Sequence, residues 1–330
     1  MARPIAGRVA PEQRRSAGAA ASGQLTVGEP GTARIAVDLL GGDQAPAVVV
    51  DGALRACQAD PALHLLLVGP RNAADAVLHA LGPAERARVT TLKADDPGIR
   101  DAMLAVAAGQ ADAVLSAGDT GVIVTAAARA LGRLPGVRRP PLAAMLPTAA
   151  GRLVLLDVGS SVDPDAETLA MHARLGTAYA KVLLGLAEPR VGLLTIGTEP
   201  GKGDRLRRAL PPLLAALPLP AGARYAGLVE GNDVVTGAVA DVVLTDGFSG
   251  NVLLKGLETA YARIGPPGTA EPPPRAAALL GVAGTVVVCH GSASGSDVAA
   301  GIAFAAQLHR RAANAAVAEM IEAQRGVSHE

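Results

Sequence analysis

The chain has 330 residues, 50% hydrophobic and 18% charged, enough apolar mass for a large core in one domain or two closely packed ones. Its 30 basic and 30 acidic side chains cancel, and aromatics make up 2% with no Trp, which removes the electrostatic footprint and the stacking platforms of a nucleic-acid binder. Cys57 and Cys289 belong to no CxxC pair or His/Cys cluster, so neither a disulfide framework nor a metal site is expected. No uncharged apolar run approaches the ~20 residues of a membrane span, and the chain reads as a soluble, cytoplasmic protein.

Residues 1–33 carry Arg3, Arg8, Arg14 and Arg15 among Ala, Gly and Ser, without the apolar h-region of a secretory signal. They read as a disordered tail or as sequence ahead of the true start. From Arg34 on, short apolar runs alternate with Ala-rich helical stretches. The runs are Ile35–Val37, Leu65–Val68, Ala113–Leu115, Leu142–Leu146, Leu153–Leu156, Val191–Ile196, Tyr225–Val229, Val242–Leu244 and Thr285–Val288. Runs apolar on both faces suit buried parallel strands. Pro46, Pro97 and Pro164 mark the first turns of helices. This alternation predicts a three-layer α/β/α sandwich with a mainly parallel sheet over residues 34–330. It is interrupted by a proline-rich linker at 265–275, GPPGTAEPPPR.

Open α/β sheets bind ligands at the carboxyl ends of their strands, so the residues after each run are the candidates for chemistry. They are Asp38, Gly41, Gly42 and Asp43; Ser116, Gly118, Asp119, Thr120 and Gly121; Asp157 and Gly159; Glu230, Gly231 and Asn232; Asp246, Gly247, Gly250 and Asn251; and His290, Gly291 and Ser292. Glycine lets the backbone approach a ligand closely, and N–H groups at the following helix start point at an anion. These turns are expected on one sheet edge, around an anion. A dinucleotide fingerprint, a P-loop and a G-x-S-x-G elbow are all absent. Cys289 and His290 are adjacent on a strand and point to opposite faces. Cys289 therefore reads as a core residue and His290 as a functional one. His64, His79, His172 and His309 lack such a setting.

The segments IAVDLLGGDQAP (35–46), SAGDTG (116–121), LLDVGSSVD (155–163), VGLLTIGTE (191–199), GLVEGNDVVTG (227–237), DVVLTDGFSGNVLLK (241–255) and LLGV…VVVCHGS (279–292) resemble, in order, the PlsX-type phosphate acyltransferases of bacterial phospholipid synthesis. The resemblance implies a fold similar to phosphate acetyltransferase and isopropylmalate dehydrogenase. It also implies transfer of a fatty acyl group from acyl carrier protein to inorganic phosphate, by a homodimer without cofactor or metal. Ser116, Thr120, Asn232, Asn251 and Lys255 could then supply hydrogen-bond donors, and Asp246 or His290 could accept a proton or orient a donor. N-capping of helices is the structural alternative for Asp38, Asp157 and Asp246.

The chain departs from the family pattern in four places. Asp119 replaces the usual amide of SAGNTG, Ser160–Ser161 interrupt DVGAN, and the basic stretch before SAG shrinks to KADDPGIR (93–100). The excursion that touches membranes shrinks to the proline-rich linker, so at most weak peripheral membrane contact is expected. These departures leave open a paralogue using acyl-CoA, or a catalytically silent protein that binds the carrier. Arg129, Arg133, Arg138 and Arg139 are candidates to meet an acidic carrier protein.

Overall fold

The computed structural model describes residues 31–94, 98–199, 201–268 and 275–327. Residues 1–30 of the expected tail, Pro97, and residues 269–274 of the expected linker lie outside them. Ala33, assigned to the tail from sequence, opens the first strand and is fully buried.

In chain order the elements are β1 (Ala33–Asp38), α1 (Ala47–Ala59), β2 (Leu63–Gly69), α2 (Arg71–Ala80), α3 (Pro83–Arg86), β3 (Val89–Lys93), α4 (Ile99–Ala107), β4 (Ala113–Ser116), α5 (Thr120–Ala130), β5 (Leu142–Thr148), β6 (Gly151–Leu156) and α6 (Ala166–Leu184). They continue as β7 (Arg190–Leu194), α7 (Arg205–Ala216), β8 (Arg224–Val229), α8 (Gly231–Thr236), β9 (Val242–Leu244), α9 (Gly247–Ile264), β10 (Ala276–Leu279), β11 (Thr285–Cys289), α10 (Gly295–Arg310) and α11 (Ala313–Val327).

Among the described residues the strands form one eleven-stranded sheet in the order β3-β2-β1-β4-β11-β10-β5-β6-β9-β7-β8. Helices α1, α2, α6, α7, α10 and α11 pack a core against one face, and α4, α5, α8 and α9 pack a second core against the other. This is the expected α/β/α sandwich.

The pairing is parallel within β3-β2-β1-β4-β11 and again within β6-β9-β7-β8, while every step through β11-β10-β5-β6 is antiparallel. The two parallel blocks therefore run in opposite directions. We call the edge where β1, β4 and β11 end the upper edge, and the one where β6, β7, β8 and β9 end the lower edge.

Helix starts follow a repeated rule. The carboxylates of Asp119, Asp165, Asp204 and Asp246 accept from the N–H groups of Val122, Thr168, Arg207 and Ser249 at 2.8–2.9 Å, which satisfies donors that a helix start leaves unpaired. Asp165 takes this role at α6, so the helix begins at Ala166 and Pro164 lies ahead of it rather than in its first turn. Pro46 is likewise the residue before α1, not its first member. Among the described residues no helix is long and apolar enough to cross a membrane.

Candidate active site

On the second face the helices leave a gap between α5 and α9, and the gap is a cavity of about 720 Å³. Its floor is apolar and partly made of small side chains: Leu142, Ala144 and Leu146 of β5, Ala277 of β10 and Val288 of β11. One wall is α9, which starts at the lower edge and runs back across the face, presenting Asn251, Leu254, Lys255, Glu258, Tyr261 and Ala262. This i, i+3, i+4 spacing is one helical face. The upper rim is made by the turns after β1, β4 and β11, with Gly42, Asp43, Gly118, Asp119, Thr120, His290 and Gly291.

The upper turns are tied together. Ser116 donates its hydroxyl to the Asp38 carboxylate at 2.7 Å and accepts from the Gly118 N–H at 3.1 Å. The Leu40 N–H reaches the other Asp38 oxygen at 3.2 Å, and the Asp43 N–H donates to the Gly291 carbonyl at 2.8 Å. Gly41 lies where these turns touch: a Cβ there would sit 2.6 Å from Ser116 Oγ and 2.8 Å from the Gly118 nitrogen. Asp38, Gly41 and Ser116 therefore build the rim from behind, and Gly121 lies in the first turn of α5. His290 is braced by Ser292, whose hydroxyl lies 2.8 Å from Nδ1 and whose N–H points at the same atom from 3.4 Å.

The other expected site residues sit on the lower edge, a correction to the single-edge expectation. The reason is the reversal of chain direction between the two parallel blocks. Asp157, fully buried, accepts from the N–H groups of Leu142, Gly159, Ser160 and Ser161 at 2.6–3.1 Å and thereby joins the exit of β6 to the entry of β5. A Cβ on Gly159 would lie 2.9 Å from the Asn251 amide nitrogen, which donates to the Val158 carbonyl at 2.9 Å. Glu230 caps α8 in a reciprocal box with Asp233, leaving Gly231 and Asn232 exposed.

Asp246 is engaged on two sides. It caps α9, and its second oxygen pairs with Arg207, a buried arginine of α7 that also contacts the Thr245 hydroxyl and the Leu194 carbonyl, each at 3.2 Å, and Asp204 at 2.7 Å. Burial works to raise the Asp246 carboxyl, but the Ser249 N–H and the Arg207 guanidinium outweigh it and hold it below the usual range. Asp246 lies outside the cavity and is tied up as a structural anion, so the expectation that it serves as a base gives way to the capping alternative. Gly250 and Gly247, expected to bind phosphate, instead allow the start of α9 to pack on the β6 exit. A Cβ on Gly250 would lie 2.0 Å from the Asp157 carbonyl oxygen, and one on Gly247 would lie 2.8 Å from that of Ser161.

Cys289 is buried, and burial pushes its thiol up to about 12, which removes it as a nucleophile. His172 is fully buried with Nε2 2.9 Å from the Arg139 carbonyl. Arg138 pairs with Asp165 and Glu167, so part of the arginine cluster is already neutralised. Among the described residues no group of three or more His, Cys, Asp or Glu is arranged to hold a metal ion.

Sequence reading missed Glu258, Tyr261 and Arg275, all of which line the cavity. Burial raises the Glu258 carboxyl above the usual carboxylate range, against the opposing charges of Arg275, His290 and Lys255.

Residues 33–265 match the model of the fatty acid synthesis protein family. The phosphate acyltransferase of Thermobifida fusca is 39% identical over 307 residues, covering 80% of this chain and 84% of its own length. The enzyme of the same name from Bacillus subtilis is 40% identical over 243 residues, covering 68% and 71%. The chain belongs to this family. It is an acyltransferase by that membership, and the order of motifs read from the sequence follows the same relationship. Among solved structures, a branched-chain phosphotransacylase from Enterococcus faecalis superposes with a TM-score of 0.61 at 18% identity, covering 83% of this chain and 99% of the other. The EutD phosphotransacetylase of Staphylococcus aureus gives 0.59 at 15%, covering 84% and 94%. These two share the fold.

Proposed function

We propose that the cavity takes a fatty acyl group from acyl carrier protein and transfers it to inorganic phosphate, releasing acyl phosphate for phospholipid synthesis. The observation that carries this reading is the division of the cavity into an apolar floor and a polar rim of glycine turns, Thr120 and His290, with Lys255 on the α9 wall. A volume of about 720 Å³ suits a drug-sized or acyl ligand. An acyl chain lies on Leu142, Ala144, Leu146 and Ala277, and its thioester meets phosphate at the rim.

A phosphate oxygen bonds to the thioester carbon, the C–S bond breaks, and the thiolate of the carrier leaves with the electron pair. Phosphate is already anionic at neutral pH and a thiolate of pKa ~8.5 leaves readily. The protein therefore has to orient the two and stabilise the tetrahedral oxyanion. The Thr120 hydroxyl, Lys255 and His290 are the donors in place. Ser292, directed at Nδ1, braces the His290 ring. The homodimer and the cytoplasmic setting implied by family resemblance belong to the same reading.

The test is acyl phosphate formation from purified protein, palmitoyl carrier protein and phosphate, with hydroxylamine trapping the product and a thiol reagent counting released carrier. Phosphate-dependent formation of both in equal amounts is expected. Product from palmitoyl-CoA alone would replace the donor, and no product from either, with carrier still bound, would leave a binding protein.

Asp119 occupies the rim with its carboxylate committed to capping α5. Asparagine caps equally well, so Asp119→Asn should leave stability unchanged and remove a negative charge beside the incoming anion. The Michaelis constant for phosphate should fall roughly 2- to 5-fold, as steady-state kinetics at fixed acyl donor would show.

A further inference from the structure

A dianionic substrate calls for a cation. Among the described residues, the lysine and arginine side chains that line the cavity are Lys255 and Arg275. Arg275 immediately precedes β10. The antiparallel register pairs Ala276 with Cys289, so Arg275 lies across from His290 at the upper edge.

The ion pairs of Arg275 are unlike those of the other arginines described above. Its Nη2 is 3.8 Å from Glu258 Oε2 and its Nη1 is 3.8 Å from Asp297 Oδ2. Both distances exceed hydrogen-bond length. Asp297 Oδ2 is already occupied, accepting from the Ser294 N–H at 2.9 Å and hydroxyl at 2.7 Å. The guanidinium thus stands between two carboxylates, with its N–H fork not used up by them. By contrast, Arg207 puts its N–H groups on carboxylate, hydroxyl and carbonyl oxygens at hydrogen-bond distance. The side chain of Arg275 is 47% exposed at the cavity wall, within reach of a ligand that enters from solvent.

Resting on the acyltransferase reading above, we propose that Arg275 is the phosphate-binding residue of the cavity, its planar fork gripping two phosphate oxygens while Glu258 and Asp297 keep it aimed. A guanidinium matches phosphate geometry in a way that a point charge does not.

The experiment compares wild type, Arg275→Gln and Arg275→Lys in two assays: turnover at varied phosphate, and the rise in melting temperature caused by inorganic phosphate alone. In Arg275→Gln the Michaelis constant for phosphate should rise about 10- to 100-fold, with that for the acyl donor and the phosphate-free melting temperature unchanged. Arg275→Lys should fall between, because the charge remains and the fork is lost. An unchanged phosphate constant in Arg275→Gln, or an equal rise for both substrates, would overturn the proposal. If Arg275→Gln does not fold, a wild-type phosphate constant in Arg275→Lys would do the same. Should wild type make no acyl phosphate while phosphate still raises its melting temperature and Arg275→Gln abolishes the rise, Arg275 stands and the acyltransferase reading fails. Should wild type be active and the variant equally so, Arg275 fails alone.

Discussion

Replacing Arg207 with alanine should lower folding stability by about 3–5 kcal/mol. The guanidinium is buried between α7 and the start of α9, and its removal leaves the Asp246 carboxylate without its counter-charge in a largely enclosed position. Asp246→Asn should cost less, since an amide oxygen still caps α9 through the Ser249 N–H. The pH dependence has a definite sign. The carboxyl of Asp246 is depressed in the folded chain, so its contribution is fully present above the unfolded value, ~3.9, and is lost as pH falls through the lower folded value. The stability gap between wild type and Arg207→Ala should therefore close in acid. Chemical denaturation at neutral pH and below pH 4 reads this directly. A stable Asp246→Asn protein with abolished turnover would instead return Asp246 to the catalytic machinery.

The second large effect is expected on the cavity floor. Ala144 is buried on β5 beside Ala277 of β10, and both face the cavity. Phenylalanine at position 144 would extend into that empty space, where it meets less of the strain that overpacking a filled core produces. Turnover of a sixteen-carbon donor should drop by about 10-fold or more, one or two lost methylene contacts being worth ~1 kcal/mol each, while a four-carbon donor reacts at close to the wild-type rate. Equal loss for both donors would place the acyl chain elsewhere.

Much of the fold can be read from apolar runs: all nine expected runs lie in or overlap strands. The two remaining strands escape because Val89–Lys93 is mostly exposed and Ala276–Leu279 is alanine-rich, which carries little β signal. The reversal of direction was also visible in principle. Parallel neighbours need a crossover of a dozen or more residues, whereas β5 and β6 are separated by Ala149 and Ala150 alone. The sequence interval between the two apolar runs could not have held a helix. Missing that hairpin put Asp157, Asn232 and Asp246 on the same edge as His290. Glu258 and Tyr261 escaped for a different reason: the turn motif ends at Lys255, but the helical face that contains Asn251 and Lys255 continues beyond it. Arg275 carries no local pattern, since its meaning comes from the strand pairing that places it opposite His290.

The opposed directions of the two halves make α9 a cantilever. It is clamped at the lower edge, where Gly250 lies against the Asp157 carbonyl and Asp246 is pinned by Arg207, and its working groups are at the free end. Glu258 is eight residues beyond Gly250, an arm of about 12 Å at 1.5 Å per residue, so a tilt of ~5° at the clamp would swing it by roughly 1 Å. The width of the cavity is in that sense set at the far end of the molecule, by residues that touch neither substrate.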